Sequence, residues 1–426
     1  MQTNRNRSRF KQGVFLSRVF ITVCVVLLFH LPSLFAQDAC SECHGQSDFT
    51  TVDTAGNEIS LFVDAQLFSQ SIHADLGCEG CHADVTEIPH AETLAKVDCG
   101  MCHDDAVTEY QKSIHYHAIK EGSPDAPTCA DCHGKHDIMP VANPESRVHP
   151  LKVAATCARC HSDPKIVQKY DIPIADALSA YQKSVHGVAV LSEKNFDAAN
   201  CNSCHGSHDI RTLDDPAAPI FWKNVPETCG QCHGDIYEQY TTSVHWSAAQ
   251  KGIRNAPVCT DCHGEHEVKS PQDPSSPVHP LRVAAATCER CHASELITGR
   301  YGIADERIAT FQDSYHGLAI QGGSLAAANC ASCHGIHNIL PSSDPRSMIN
   351  PANLRKTCGS CHPGATVNFA KGPVHLTTST TPGRVVQYVQ KFYFWLIVIT
   401  IGAMIVHNGA DFVRRARKHI REREEE

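Results

Sequence analysis

The sequence predicts a mainly α-helical and coil fold with little or no sheet. It reads as a modular array of repeated units followed by one C-terminal transmembrane helix. Three observations predict this. Eleven Cys-x-x-Cys-His motifs use 22 of the 23 cysteines. Alternate motifs recur at separations of 58 to 72 residues. One apolar segment, Phe392 to Val406, precedes a basic cluster near the C-terminus.

The first 36 residues read as an export signal. Arg5, Arg7, Arg9, Lys11 and Arg18 form a positive start, Val19 to Phe29 a short apolar core, and small residues place cleavage after Ala36. The alternative is an uncleaved N-terminal anchor, for which the apolar core is short. Cys24, the cysteine outside the motifs, leaves with the signal.

The motifs are Cys40, Cys43 and His44; Cys78, Cys81 and His82; Cys99, Cys102 and His103; and Cys129, Cys132 and His133. They continue as Cys157, Cys160 and His161; Cys201, Cys204 and His205; Cys229, Cys232 and His233; and Cys259, Cys262 and His263. The last are Cys288, Cys291 and His292; Cys330, Cys333 and His334; and Cys358, Cys361 and His362. This is the attachment pattern of covalent haem c: two thiols add to the porphyrin vinyl groups, and the adjoining imidazole binds the iron. Zinc knuckles and disulfide frameworks also use paired cysteines, but neither requires histidine at the next position. The count implies eleven covalently attached haems. Haem c is attached on the outer side of the cytoplasmic membrane, which agrees with the export signal.

Each repeat opens with one motif, runs through a helical stretch to Ser-x-His, and closes with a second motif extended as Cys-His-Gly-x-His. The boundaries follow: a divergent two-haem unit at 37–98, four-haem repeats at 99–228 and 229–357, and a single-haem half unit with linker at 358–384. Tyr or Phe stands five places before each Ser-x-His histidine, at Phe68, Tyr110, Tyr181, Tyr240 and Phe311, and predicts helices such as 103–120 and 174–191. Segments after each Gly-x-His are rich in Pro, Asp and Ser and read as loops. Aromatic residues are only 7% of the chain, so the haems must fill much of its interior. Thr377 to Gly383 reads as a flexible link, 385–410 as the membrane helix, and 411–426 as a cytoplasmic tail oriented by Arg414, Arg415, Arg417 and Lys418.

A six-coordinate haem needs a second axial ligand, His or Met. Methionines Met101, Met139 and Met348 share no repeated position, whereas histidine is abundant. His73, His115, His186, His245, His316 and His375 occupy the Ser-x-His slot or its equivalent. His136, His208, His266 and His337 occupy the Gly-x-His slot, and the divergent first unit offers His90. His117 reads as a surface residue. His149 and His279 share a Val-His-Pro context, with Asn350 at the corresponding place in another unit. They read as hydrogen-bond partners to propionate or backbone, with displacement of His90 as the alternative. His407 falls at the cytoplasmic end of the membrane helix, as an interfacial residue or a ligand to a partner's b-type haem. Spacing does not decide which histidine serves which iron.

Ser-x-His followed by Cys-x-x-Cys-His-Gly-x-His resembles the multihaem c-type cytochromes of the cytochrome c3-like and decahaem electron-transfer group. That resemblance covers residues 40–375 and implies closely spaced bis-histidine haems of low potential that relay electrons. The expected function is relay between a membrane quinol-oxidising or cytochrome b-type subunit and exported redox proteins. The chain is then an electron carrier rather than a catalytic subunit, held in the cell inner membrane by a single pass with its haem domain on the periplasmic side. Of 37 Lys and Arg, 12 lie in the signal and after residue 385; of 46 Asp and Glu, 5 lie there. The exported part therefore carries net −16, which disfavours nucleic acid and favours basic partners. The rival is a multihaem reductase of a small nitrogen or sulfur oxyanion, which needs one open iron; the irregular unit around Cys40 and Cys78 is where it would lie.

Overall fold

The computed structural model describes residues 39–424 except 53–55, 92–93, 174–175, 305, 373 and 377–380. The export signal lies outside the described residues. Short helices and coil make up nearly all of the rest, as the sequence predicts. Among the described residues the sheet is one antiparallel hairpin, Thr50–Val52 paired with Glu58–Ser60. The chain divides into two compact units, one of residues up to Thr228 with His266–Val268, the other of Cys229–Glu265 with Lys269 onward.

The stretches predicted as single helices, 103–120 and 174–191, are each two. Asp104–Tyr110 is followed by Ile114–Lys120, and Ala177–Lys183 by Val185–Leu191. Serine makes the break. The Ser113 hydroxyl accepts from Tyr116 N and donates to Tyr110 O; that of Ser184 accepts from Gly187 N and donates to Tyr181 O. One side chain thus ends one helix and caps the next, which an unbroken helix would forbid. Ser243 and Ser314 cap Val244–Gln250 and Tyr315–Gln321 in the same way. In these four repeats the serine of Ser-x-His is therefore an N-cap, and its histidine is the second residue of the helix it starts; at Ser71 the hydroxyl instead donates to Ile138 O. At Gly187 any Cβ would collide with Tyr181 O, so no side chain fits that close approach of two helix ends.

A second contact recurs with the same register. The residue between Ser and His donates its backbone N–H to the residue two places beyond a later Gly-x-His histidine. Ile72 bonds Ile138 O at 2.8 Å, Ile114 bonds Ile210 O at 2.8 Å, Val185 bonds Val268 O at 2.8 Å, and Val244 bonds Ile339 O at 2.9 Å. Each bond clamps one repeat to the next. The aromatic residue before the serine completes the frame. Tyr110, Tyr181 and Tyr240 donate their hydroxyls to Pro127 O, Ala199 O and Pro257 O, two residues ahead of a motif cysteine. Phe311 keeps the buried ring without the hydroxyl.

The protein's own apolar core is thin. Val190 and Ala218 are fully buried, but the other fully enclosed side chains are chiefly serines and Pro226. Burial on this scale cannot offset the entropy of ordering so long a chain. The missing apolar contact is what covalently attached macrocycles would supply.

The C-terminal helix runs from Thr381 to Glu424, 44 residues, and is long and apolar enough to cross a membrane. It departs from the predicted boundaries at both ends. Thr381 to Gly383, read as link, begins the helix, with Pro382 where a first turn tolerates it. Residues 411–424, read as tail, remain helical and carry an Asp411–Arg415 ion pair at 2.8 Å. Residues 377–380 of the link lie outside the described residues.

Ser184→Ala is expected to cost about 1 to 2 kcal/mol, since it removes an N-cap and a buried hydrogen bond. The thermal unfolding midpoint of the full-length haem-loaded protein checks this; Ser192→Ala, at an exposed helix end, should leave it unchanged.

Candidate haem sites

Four motifs form a one-turn helix of their own: Cys129–His133, Cys201–His205, Cys259–His263 and Cys330–His334. On a helical turn, positions one, four and five share a face, so both thiols and the imidazole address one side. Asp131 accepts from Thr128 N, and Ser203 and Ser332 accept from Asn200 N and Asn329 N, which fixes each start. Glycine fixes each end. Gly134, Gly206, Gly264 and Gly335 have φ of 98°, 84°, 83° and 87°, the left-handed region that turns the chain so that the following histidine points away from its own motif. Other motifs close longer helices, as Cys157 and His161 do at the end of Pro150–His161.

The structure brings the motif histidines and the proposed distal histidines together in pairs. Ring centroids are 6.0 Å apart for His44 and His90, 5.8 Å for His73 and His103, and 6.3 Å for His82 and His136. They are 6.2 Å apart for His115 and His161, 6.1 Å for His133 and His208, and 6.0 Å for His205 and His266. In the second unit the distances are 6.3 Å for His245 and His292, 6.2 Å for His263 and His337, 6.1 Å for His316 and His362, and 6.3 Å for His334 and His375. His186 and His233, in different units, take the equivalent places in their repeats.

The separation barely varies while the angle between rings runs from 7° to 61°. Ring stacking would constrain the angle; a shared axis constrains the distance. Two imidazoles on opposite sides of one metal have centroids roughly 6 Å apart, since each metal–nitrogen bond is about 2 Å and each ring centre lies about 1 Å beyond. The residues therefore fit a haem iron, whose four remaining positions come from the macrocycle. Burial and the neighbouring imidazole push His115 and His245 each down to about 4, so both are neutral near pH 7, the form that binds metal.

The pairs obey a rule that spacing does not reveal. A Ser-x-His histidine faces the first motif of the next repeat, as His73 faces His103 and His115 faces His161. A Gly-x-His histidine faces the second motif of the repeat before it, as His208 faces His133 and His337 faces His263. Both ends of the array need substitutes. His44 has no preceding repeat and takes His90 from its own unit. His375, grouped by sequence with Ser-x-His, instead faces His334, the part a Gly-x-His histidine plays elsewhere. Leading thiols also meet within each repeat, Cys40 with Cys78, Cys99 with Cys129, Cys157 with Cys201, Cys229 with Cys259 and Cys288 with Cys330. That contact would set the attached edges of two macrocycles side by side.

The chain is similar to known proteins. A family model described as cytochrome c7 and related cytochrome c matches residues 220–295, a span holding the motifs at Cys229, Cys259 and Cys288. The C-type polyheme cytochrome OmcB of Geobacter sulfurreducens is 24% identical over 265 residues, covering 55% of this chain and 33% of that protein. The multiheme cytochrome MtrA of Shewanella baltica is 25% identical over 213 residues, covering 46% of this chain and 52% of that protein. The chain thus spans between a third and about half the length of the curated relatives it matches. No solved structure matches it.

The remaining histidines have other places. His149 and His279 are buried, 4% and 8% exposed, and their Nδ1 atoms accept from Leu151 N and Leu281 N. His149 thereby caps Pro150–His161, His279 makes the same i to i+2 bond across Pro280, and Asn350 makes it across Pro351 with Oδ1, accepting from Ala352 N at 3.0 Å. This backbone role explains why Asn replaces His there. His117 is exposed on Ile114–Lys120, beside Lys112 and Arg211 in a surface recess of about 370 Å³. His407 lies on the uncovered C-terminal helix. His149→Asn is accordingly expected to keep full haem content and stability within about 0.5 kcal/mol, whereas His149→Ala costs about 1 kcal/mol. Haem quantification and thermal unfolding of both variants check the cap; haem or stability lost in His149→Asn would count against it.

Proposed function

Because this chain is a multihaem c-type cytochrome, we propose that it relays electrons through eleven haems, each held between two histidines, on the periplasmic side of the inner membrane. The observation that supports this is the near-constant separation of the histidine pairs. With both axial positions filled, an iron has no site for substrate, and its remaining chemistry is one-electron outer-sphere transfer. The meeting of thiols within each repeat favours short edge-to-edge steps between haems.

The C-terminal helix supplies the anchor. The haem of Cys358 and Cys361 lies closest in sequence to it and is the natural entry or exit on the membrane side. A quinol-oxidising or cytochrome b-type membrane subunit is the proposed partner there, and an exported redox protein with a basic face the partner elsewhere, given the net −16 of the exported part. The reductase alternative needs an open iron. The irregular first unit was its best location, yet His44 faces His90 and His82 faces His136 there.

Carbon monoxide tests this reading, because it binds readily only where an axial site is vacant or weakly held. The fully reduced wild-type protein should show no CO difference spectrum. His208→Ala should produce one equivalent to a single haem while leaving haem content unchanged. A CO-binding haem in the wild-type protein would overturn the relay in favour of substrate reduction.

A further inference from the structure

The clamp that joins repeats also places one side chain beside a distal imidazole. The residue concerned stands five places before the x of Ser-x-His: at Ile114 the clamp sets it against the histidine two places before the clamp acceptor, and Thr310 holds the same place before Tyr315. Two such contacts are present. Glu109 Oε2 lies 3.4 Å from His208 Nδ1, and Thr310 Oγ1 lies 3.2 Å from His375 Nδ1. Counted from the clamp bonds Ile72–Ile138, Val185–Val268 and Val244–Ile339, Leu67, Ala180 and Gln239 hold the corresponding register positions for His136, His266 and His337. The slot therefore holds an alkyl group, a carboxylate, a methyl, an amide and a hydroxyl in turn.

If Nε2 of these histidines binds iron, Nδ1 keeps the other ring proton, and its partner decides how strongly the imidazole donates to the metal. A carboxylate draws that proton most strongly, makes the ring a better donor, and favours ferric over ferrous iron. Its negative charge opposes added electrons in the same direction. A hydroxyl does less, and an alkyl group nothing. We propose that this slot, occupied by Leu67, Glu109, Ala180, Gln239 and Thr310, tunes the potentials of the haems bound through the second motif of each repeat. Glu109 then makes the haem of Cys129 and Cys132 the lowest in potential among them. The array would carry a built-in low step at that haem, with its neighbours graded by a single side chain each. This inference rests on ligation by histidine pairs, as proposed above.

Two substitutions with opposite expected signs test it. Glu109→Gln should raise the potential of one haem by about tenfold in its reduction equilibrium, 59 mV for one electron. Ala180→Glu, which sets a carboxylate against His266, should lower the haem of Cys201 and Cys204 by a similar factor. Spectroelectrochemical titration of the full-length haem-loaded protein reads each as a displacement of one electron equivalent. Electron paramagnetic resonance reads the accompanying change in the low-spin signal. A merely structural effect would not give opposite signs. Curves for both variants that superimpose on wild type, or that move the same way, would overturn the inference. Failure of histidine-pair ligation is distinguishable, because it would show as CO binding in wild type before any substitution.

Discussion

The clamp between repeats is the constraint on which the rest of this structure depends. An iron between two imidazoles needs them on one axis, and the glycine turn after Cys-His aims the next histidine away from its own motif. Apart from His44 with His90 in the first unit, a histidine's partner is brought in from a neighbouring repeat at fixed register. The backbone bond from the Ser-x-His segment to the residue after Gly-x-His does this. It fixes both histidines of that junction at once: His115 is tied to the loop that carries His208. Ligation across repeats makes the cofactors structural, since in the proposed reading each iron staples two segments far apart in sequence.

That arrangement accounts for the small core. Buried serines at Ser113, Ser184 and Ser243 hold helix ends in place with hydrogen bonds rather than apolar bulk. Tyr110, Tyr181 and Tyr240 tie the same helices to the segment entering the next motif. The polypeptide is a frame whose interior is completed by the groups it binds, so folding and haem attachment are coupled. The same frame positions the chemistry: the register that delivers an imidazole also delivers Glu109 or Thr310 to its far nitrogen.

Much of this was legible in the sequence. The Cys-x-x-Cys-His pattern and the two histidine slots identified the residues that come together, and the low aromatic content anticipated the thin core. The pairing was not legible, because sequence spacing records chain length and not the glycine turn that decides direction. The array's ends held the clue: His90 and His375 sit where the regular slots fail, one for each missing neighbour. Reading 103–120 as one helix failed because periodicity does not reveal that Ser113 both ends and starts a helix. His149 and His279, read from sequence as hydrogen-bond partners to propionate or backbone, bond the backbone N–H two places on through Nδ1, a role Asn350 fills equally well.

The most direct test of cross-repeat ligation is an experimental structure of the haem-loaded full-length protein, read at the iron of the haem on Cys129 and Cys132. Cross-repeat ligation places His133 Nε2 on one side and His208 Nε2 on the other, each at about 2 Å. Finding His136 there, or His208 bound to the haem of Cys201 and Cys204, would contradict it.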